Sequence, residues 1–258
     1  MARRATVIKE VSSESSNPVL VLDAGSSLFG RPLAVQSEGR VIVAAMNALG
    51  YDAMAVGSMD LAYGVGVLQA RAEEADFKIL SCNLVSVEDG ALLFPPYVIL
   101  DRDGMRFGVL GVTEQVAELR SGSDGEAFKV LDPLIAVQEY LPELEERSDV
   151  VILLSHLGLE EDHVLAERVA GIDIIIGGKS RKLMSAPEEI NGTVIMQAGF
   201  SGEWIGKLDV VFDGGGQVLG ASGRIITLDP EVEDDPELKA LVAEYKERYP
   251  TPTPSQGS

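Results

Sequence analysis

The chain has 258 residues, 46% of them hydrophobic, and carries 41 acidic against 21 basic side chains, a formal net charge of −20. That length fits one large domain or two small ones at roughly 150 residues per domain, and so acidic a surface excludes nucleic acid unless Lys and Arg cluster, which they do nowhere at motif density. No apolar run approaches the roughly 20 residues that cross a bilayer, and the single cysteine, Cys82, excludes an internal disulfide framework and a cysteine-based zinc site.

Met1–Glu14 lacks the apolar stretch and small-residue cleavage site of a signal peptide. Ala5, Val7, Ile8 and Val11 are spaced for an amphipathic helix, so the chain is expected to open in mid-helix with no strand before it. Short β-branched runs follow at Val19–Asp23, Ala53–Val56, Lys78–Cys82, Arg106–Leu110, Val150–Ser155, Ile172–Ile176 and Val194–Gln197. Helix-period segments fall between several of them, at Val35–Leu49, Gly66–Ala75, Pro133–Glu146 and Glu160–Val169. The unbroken apolar runs Val150–Leu154 and Ile172–Ile176 predict strands buried on both faces, hence a largely parallel sheet covered by helices. Several strands end on small or polar residues such as Gly25, Ser58, Asn83, His156 and Gly178. Open α/β sheets bind ligands at such carboxyl ends, which makes these ends one candidate site. Trp204–Phe212 and Gln217–Leu228 flank Asp213-Gly214-Gly215-Gly216 as a hairpin, with Gly223 breaking the second strand. Asp235 and Pro236 open a last helix that runs to about Tyr249. Pro250–Ser258 alternates proline with threonine and serine, a linker composition, so one domain over 1–249 and a tail over 250–258 are expected.

Six segments carry a further signal: VLVLDAGSSLFG at Val19–Gly30, MNALGYDAMAVGSMDLAYG at Met46–Gly64, FKILSCNL at Phe77–Leu84, VVILLSHLG at Val150–Gly158, GIDIIIGGKSR at Gly171–Arg181 and NGTVIMQAGFSGEWIGKLD at Asn191–Asp209. In this order they resemble the framework of the 5′-nucleotidase type of calcineurin-like metallophosphoesterases. The resemblance implies a four-layer α/β/β/α sandwich, here without its N-terminal strand. It also implies two divalent metals at the strand ends. These are held by Asp-x-His, the Asp of a Gly-Asp pair, the Asn of Gly-Asn-His-Glu, a later His, and Gly-His-x-His or Gly-His-x-Gln. Carboxylates and imidazoles suit such metals, which clamp phosphoryl oxygens and activate water.

At the matching positions this chain differs. The Asp-x-His strand would precede Met1. The Gly-Asp pair reads Gly25-Ser26, and Gly-Asn-His-Glu reads Gly57-Ser58-Met59-Asp60. The Asp that orients the catalytic His falls at Ala62, and Gly-His-x-His reads Gly178-Lys179-Ser180-Arg181. Of the ligand types only His156 remains, whereas each metal needs roughly 3–4 protein ligands. The expectation is a catalytically degenerate domain, without catalytic residues, metal or cofactor, that acts as a binding or scaffolding module. Lys179 and Arg181, beside His156, Ser26 and Ser58, are the candidate anion site in place of the metals. Alternatively they pair with Asp23 and Asp60, or Met59, Leu61 and Tyr63 fill the old site. The alternative function is an active metal-dependent phosphoesterase or nucleotidase, completed by ligands or a strand from elsewhere. The resemblance further implies a protein partner or fused domain beyond the linker, such as a multihaem cytochrome segment. It also implies a periplasmic or other extracytoplasmic location, and an open sheet edge where a partner strand would dock.

The remaining candidates read more simply. His163, beside Glu161 and Asp162, is a solvated helix residue. Gly177-Gly178-Lys179-Ser180 lacks the glycine that a phosphate loop needs, since Asp173 stands there. Cys82 is a small buried residue, or a thiol facing the site and activated by Lys179. Asn191-Gly192-Thr193 is a formal glycosylation acceptor and also a good turn.

Overall fold

A computed structural model describes residues 1–115 and 127–250. Thirteen strands, seven α-helices and one 3-10 helix at Ser58–Leu61 are present among them. The chain opens with helix α1 (Ala2–Glu14), as its apolar spacing requires. Strand β1 follows, but is only Leu22–Asp23, shorter than the apolar run from Val19, because it has a ladder partner on one side alone. The expected helix over Val35–Leu49 is divided into α2 (Pro32–Gln36) and α3 (Arg40–Ala48). Glu38 and Gly39 separate them with φ of 50° and 82°, left-handed values that no helix contains. Strand β2 (Ala53–Ala55), helix α4 (Val65–Glu74) and strand β3 (Lys78–Leu80) complete a parallel three-stranded sheet in the order β1-β2-β3.

A second sheet begins after the short strand β4 (Leu84–Ser86). Strands β5 (Tyr97–Arg102) and β6 (Met105–Thr113) form a hairpin. Its turn, Asp103-Gly104, has both residues at positive φ, the conformation that suits the twist of two-residue hairpins. β4 pairs with β7 (Phe128–Val130). Helix α5 (Pro133–Arg147) is capped by Asp132, whose carboxylate accepts from Ile135 N–H. Then come β8 (Val150–His156), α6 (Leu159–Arg168), β9 (Ile174–Gly177), β10 (Glu188–Ile190) and β11 (Thr193–Gln197). The six-stranded sheet has the order β10-β11-β9-β8-β6-β5; its four central strands are parallel, and β10 and β5 are antiparallel edges. The hairpin β12 (Trp204–Phe212) and β13 (Val218–Thr227) and helix α7 (Pro236–Arg248) end the described chain. Gly223 does not break β13: it lets Met196 approach, where an added Cβ would stand 2.7 Å from the Met196 sulfur. The linker composition from Thr251 onward lies outside the described residues.

Three apolar cores stack these elements into four layers. Leu28, Met46, Met54, Leu68 and Ile79 join α1, α3, α4 and α7 to the small sheet. Ala55, Leu80, Phe107, Val109, Ile152 and Leu154 fill the space between the two sheets. Leu110, Val137, Leu144, Leu153 and Leu165 join the large sheet to α5 and α6. β8 shows the origin of this plan. Val150, Ile152 and Leu154 face the other sheet while Val151 and Leu153 face the helices, so its continuous apolar run serves two cores. This is the expected α/β/β/α sandwich.

Candidate functional site

The carboxyl ends of β1, β2, β6, β8 and β9 converge, and the residues just beyond them build one site. His156, at the end of β8, is buried and held from both sides. Its Nδ1 lies 2.7 Å from the carbonyl oxygen of Ala24 and its Nε2 lies 2.9 Å from Ser26 Oγ. A carbonyl only accepts, so Nδ1 carries the hydrogen and Nε2 accepts from the Ser26 hydroxyl. Burial pushes the imidazole pKa below its ordinary value, against the bond to Ala24 and the nearby charges of Glu114 and Asp23.

Ser26 stands at φ 60°, a left-handed conformation uncommon for serine. The turn is packed backbone against backbone, for a Cβ on Gly57 would collide with the backbone nitrogen of Ser26. Asp60 fastens this arrangement from beneath. It is fully buried, and its carboxylate accepts N–H bonds from Ser26 at 2.6 Å, Gly57 at 2.9 Å and Leu28 at 3.0 Å. Burial raises its pKa to about 7, while the three backbone donors act in the opposite direction.

The two cations of the site behave differently from each other. Lys179 Nζ lies 2.5 Å from Glu114 Oε2, and Ser58 bonds to the same carboxylate. Glu114 is 7% exposed. Burial opposes its ionisation, but the bonds from Lys179 and Ser58 outweigh it and hold the carboxyl below its ordinary range. Arg181 instead lays its guanidinium over the Phe200 ring, 5.4 Å from the centroid. Neither cation pairs with Asp23 or Asp60, as one reading expected. Asp23 accepts from Ser27 Oγ and Gly25 N–H instead. Of the proposed anion ligands, the structure therefore brings together His156, Ser26, Ser58 and Lys179, and sets Arg181 aside on Phe200. Met59, Leu61 and Tyr63 do not fill the site. Met59 is 51% exposed, Leu61 is buried in the helix-side core, and Tyr63 packs on Phe29.

Two carboxylates of this region were not legible beforehand. The β-branched run at Arg106–Leu110 gives no sign of Glu114, but β6 continues to Thr113 and presents Glu114 beside His156. Asp162 reads as a surface residue of α6 but is fully buried. It accepts from Ser155 Oγ and from Gln197 Nε2, and Gln197 Oε1 accepts from Ser180 Oγ at 2.6 Å. This buried chain anchors the loop that carries Lys179. His163, on the same helix, pairs with Glu188 at 2.8 Å.

Cys82 faces the helix-side core of the large sheet, not the site, and burial pushes its thiol up to about 12. No activation by Lys179 occurs. The folded protein is accordingly expected to leave Cys82 unmodified by Ellman's reagent at pH 8, with one thiol titrating after denaturation. Rapid reaction of the native chain would contradict this burial.

The donor set does not fit a dinuclear metal centre. His156 Nε2 is engaged by Ser26, Glu114 by Lys179, and Asp60 by three backbone amides. Among the described residues no group of three or more His, Cys, Asp or Glu side chains is placed to hold a metal ion.

Four layers with a site at the strand ends of both sheets are the architecture of the metallophosphoesterases. No family model matches the chain. It is similar to the snake venom 5′-nucleotidase of Gloydius brevicauda, with 31% identity over 272 residues, 95% of this chain and 46% of that protein. A 5′-nucleotidase precursor from Thermus thermophilus superposes with a TM-score of 0.84 at 29% identity, over 96% of this chain and 52% of that one. The calcineurin-like phosphoesterase YfkN from Bacillus subtilis shares the fold, with a TM-score of 0.82 at 24% identity over 96% of this chain and 89% of that one. The chain belongs to the 5′-nucleotidase type of calcineurin-like metallophosphoesterases, and it spans about half the length of the curated relatives it matches. No helix among the described residues is long and apolar enough to cross a membrane.

Proposed function

We propose that this domain binds at its strand ends without hydrolysing, as a catalytically degenerate binding or scaffolding module. The observation that supports this most directly is the closed donor set: each carboxylate or imidazole near the site is bonded to a serine, a lysine or the backbone. The ligand class is a small anion such as phosphate, sulfate or a carboxylate. Lys179 and Ser58 would donate to it by leaving Glu114, and Ser26 by turning its hydroxyl away from His156. An extracytoplasmic location and a fused domain or protein partner belong to the same reading, which there rests on likeness to relatives about twice the length of this chain.

A second reading is an active metal-dependent phosphoesterase or nucleotidase, completed by ligands from outside the described residues. The names of the relatives favour it. Elemental analysis, with turnover of AMP and of a chromogenic phosphodiester, separates the two. The degenerate domain is expected to carry far less than one metal per chain, to show no turnover above the blank, and to be unchanged by His156→Ala. Stoichiometric metal with turnover abolished by His156→Ala would overturn it. Calorimetric titration with phosphate and AMP is expected to give saturable binding that Lys179→Ala weakens at least tenfold. Absence of heat at millimolar ligand would end the anion assignment.

A further inference from the structure

Ser26, Ser27 and Ser58 all stand at the site, and their hydrogen-bond partners set them apart. Ser27 Oγ donates to the Asp23 carboxylate, 2.7 Å from one oxygen and 2.9 Å from the other, and Ser58 bonds to Glu114. Ser26 Oγ instead lies 2.9 Å from His156 Nε2. Imidazole, whose ordinary pKa lies near neutrality, is a better-matched base for a hydroxyl than a carboxylate is.

The histidine is oriented for that task. Its Nδ1–H is spent on the Ala24 carbonyl at 2.7 Å, so Nε2 turns a lone pair to Ser26. Burial keeps the resting ring neutral, the form that accepts a proton. Among the charges that act on the ring, Glu114 and Asp23 favour the imidazolium more strongly than Lys179 opposes it.

Ser26 is also presented as a nucleophile is. It lies just past the end of β1 at φ 60°, after Gly25 at φ 93°. Sharp turns of this kind after a strand hold other serine nucleophiles clear of the backbone. Met59 N–H reaches Ser26 Oγ at 3.2 Å. One oxygen lone pair accepts it, and the other remains to attack. Ser26 is half-buried and Met59 is exposed, so the hydroxyl is reached from the Met59 side. A phosphoryl group in transfer spreads charge over three equatorial oxygens and calls for several cations, whereas this site offers Lys179, held by Glu114. A carbonyl under attack gathers charge on a single oxygen, which a neutral donor such as Met59 N–H stabilises.

We propose that Ser26 and His156 form a nucleophile–base pair, and that Ser26 takes acyl groups from activated carboxyl esters. Ser26 Oγ attacks the ester carbonyl while its proton passes to His156 Nε2. The tetrahedral adduct then collapses: the bond to the alcohol oxygen breaks, and that oxygen leaves with the proton from Nε2. The products are the acyl ester of Ser26 and the free alcohol, and the step needs no co-reactant. This covalent reaction goes beyond the binding of an anion, and each stands without the other.

The probe is p-nitrophenyl butyrate, added to the folded chain near neutral pH. A burst of one p-nitrophenol per chain is expected, with the butyryl group found on Ser26 by peptide mass spectrometry. Ser26→Ala should abolish the burst, and Ser27→Ala should leave it unchanged. His156→Gln keeps a polar side chain but cannot take the proton, and should slow acylation about 100-fold or more. The native sequence unfolded in urea gives the same comparison without a substitution. It retains both residues but not their geometry, so acylation of Ser26 should slow there as much. No butyryl group on Ser26 at millimolar ester would overturn the proposal. So would labelling of Ser27, Ser58 or Lys179 as fast as Ser26, or an undiminished rate in His156→Gln or in urea. Loss of the burst on adding a chelator would also overturn it, by assigning the reaction to a bound metal. Calorimetric titration with phosphate reads the anion assignment independently of this burst.

Discussion

Asp60→Ala is expected to destabilise the domain by at least about 3 kcal/mol, because it strands three buried N–H donors at roughly 1–3 kcal/mol each. Those donors belong to Ser26, Leu28 and Gly57, so the same change releases both loops that form the rim of the site. Against a typical domain stability of roughly 5–15 kcal/mol this is a large fraction. Chemical denaturation followed by circular dichroism measures it, and a loss below about 1 kcal/mol would show that the loops hold without this carboxylate. The pH dependence gives a second signature. The folded-state pKa is raised from 3.8 to about 7, so between those values the folded protein holds a proton that the unfolded chain has released. Asp60 therefore makes stability fall as pH rises from about 4 to 7, with no further change above. Asp60→Asn keeps an acceptor but cannot ionise. Its stability relative to the native chain is expected to improve steadily from pH 5 to pH 7.5. A constant difference across that range would mean that Asp60 is ionised throughout.

Gly111→Ala is expected to be equally severe, for a steric reason. Gly111 lies on β6, where a Cβ would stand 2.5 Å from the Leu80 carbonyl oxygen and 2.7 Å from its carbonyl carbon. Neither backbone has room to retreat. Gly111 is bonded through its N–H to Pro96 and through its carbonyl to Cys82, and Leu80 lies in β3. Overpacking against such a wall costs about 3 kcal/mol or more. Gly30→Ala is the control, since nothing lies within 4 Å of its added Cβ. It should change the urea midpoint hardly at all. If the two variants denatured together, the close approach of the two sheets at Gly111 would not be a constraint.

Much of this architecture is written in local pattern. The continuous runs Val150–Leu154 and Ile172–Ile176 announce two-sided burial, and Asp132-Pro133 and Asp235-Pro236 announce helix starts. The failures arise where context outweighs pattern. The helical period across Val35–Leu49 conceals the break at Glu38-Gly39, where the backbone turns left-handed at φ 50° and 82°, a conformation that glycine adopts without strain. β5 carries no clear strand pattern although Asp103-Gly104 marks its turn, because Tyr97–Arg102 mixes apolar with charged residues at an edge. The site was half legible. His156 and Ser26 meet as their strand-end positions imply, yet the neutralisation of Lys179 depends on Glu114, which is remote in sequence and placed only by the full length of β6. Likewise no pattern within α6 tells Asp162 from its solvated neighbours, since its burial comes from Ser155 and Gln197 on other strands.

Asp60 also bears on how such a fold changes over time. A carboxylate of the chain itself, not an exogenous ion, gathers the amides of the two loops above it. The rim at Ser26 and Ser58 is thus carried by a foundation it does not itself provide. Residues on that rim are free to be exchanged for others of different chemistry while the loops keep their course. With this separation, a substitution on the rim leaves untouched the carboxylate that holds the loops of a sandwich superposable on a Thermus relative at 29% identity.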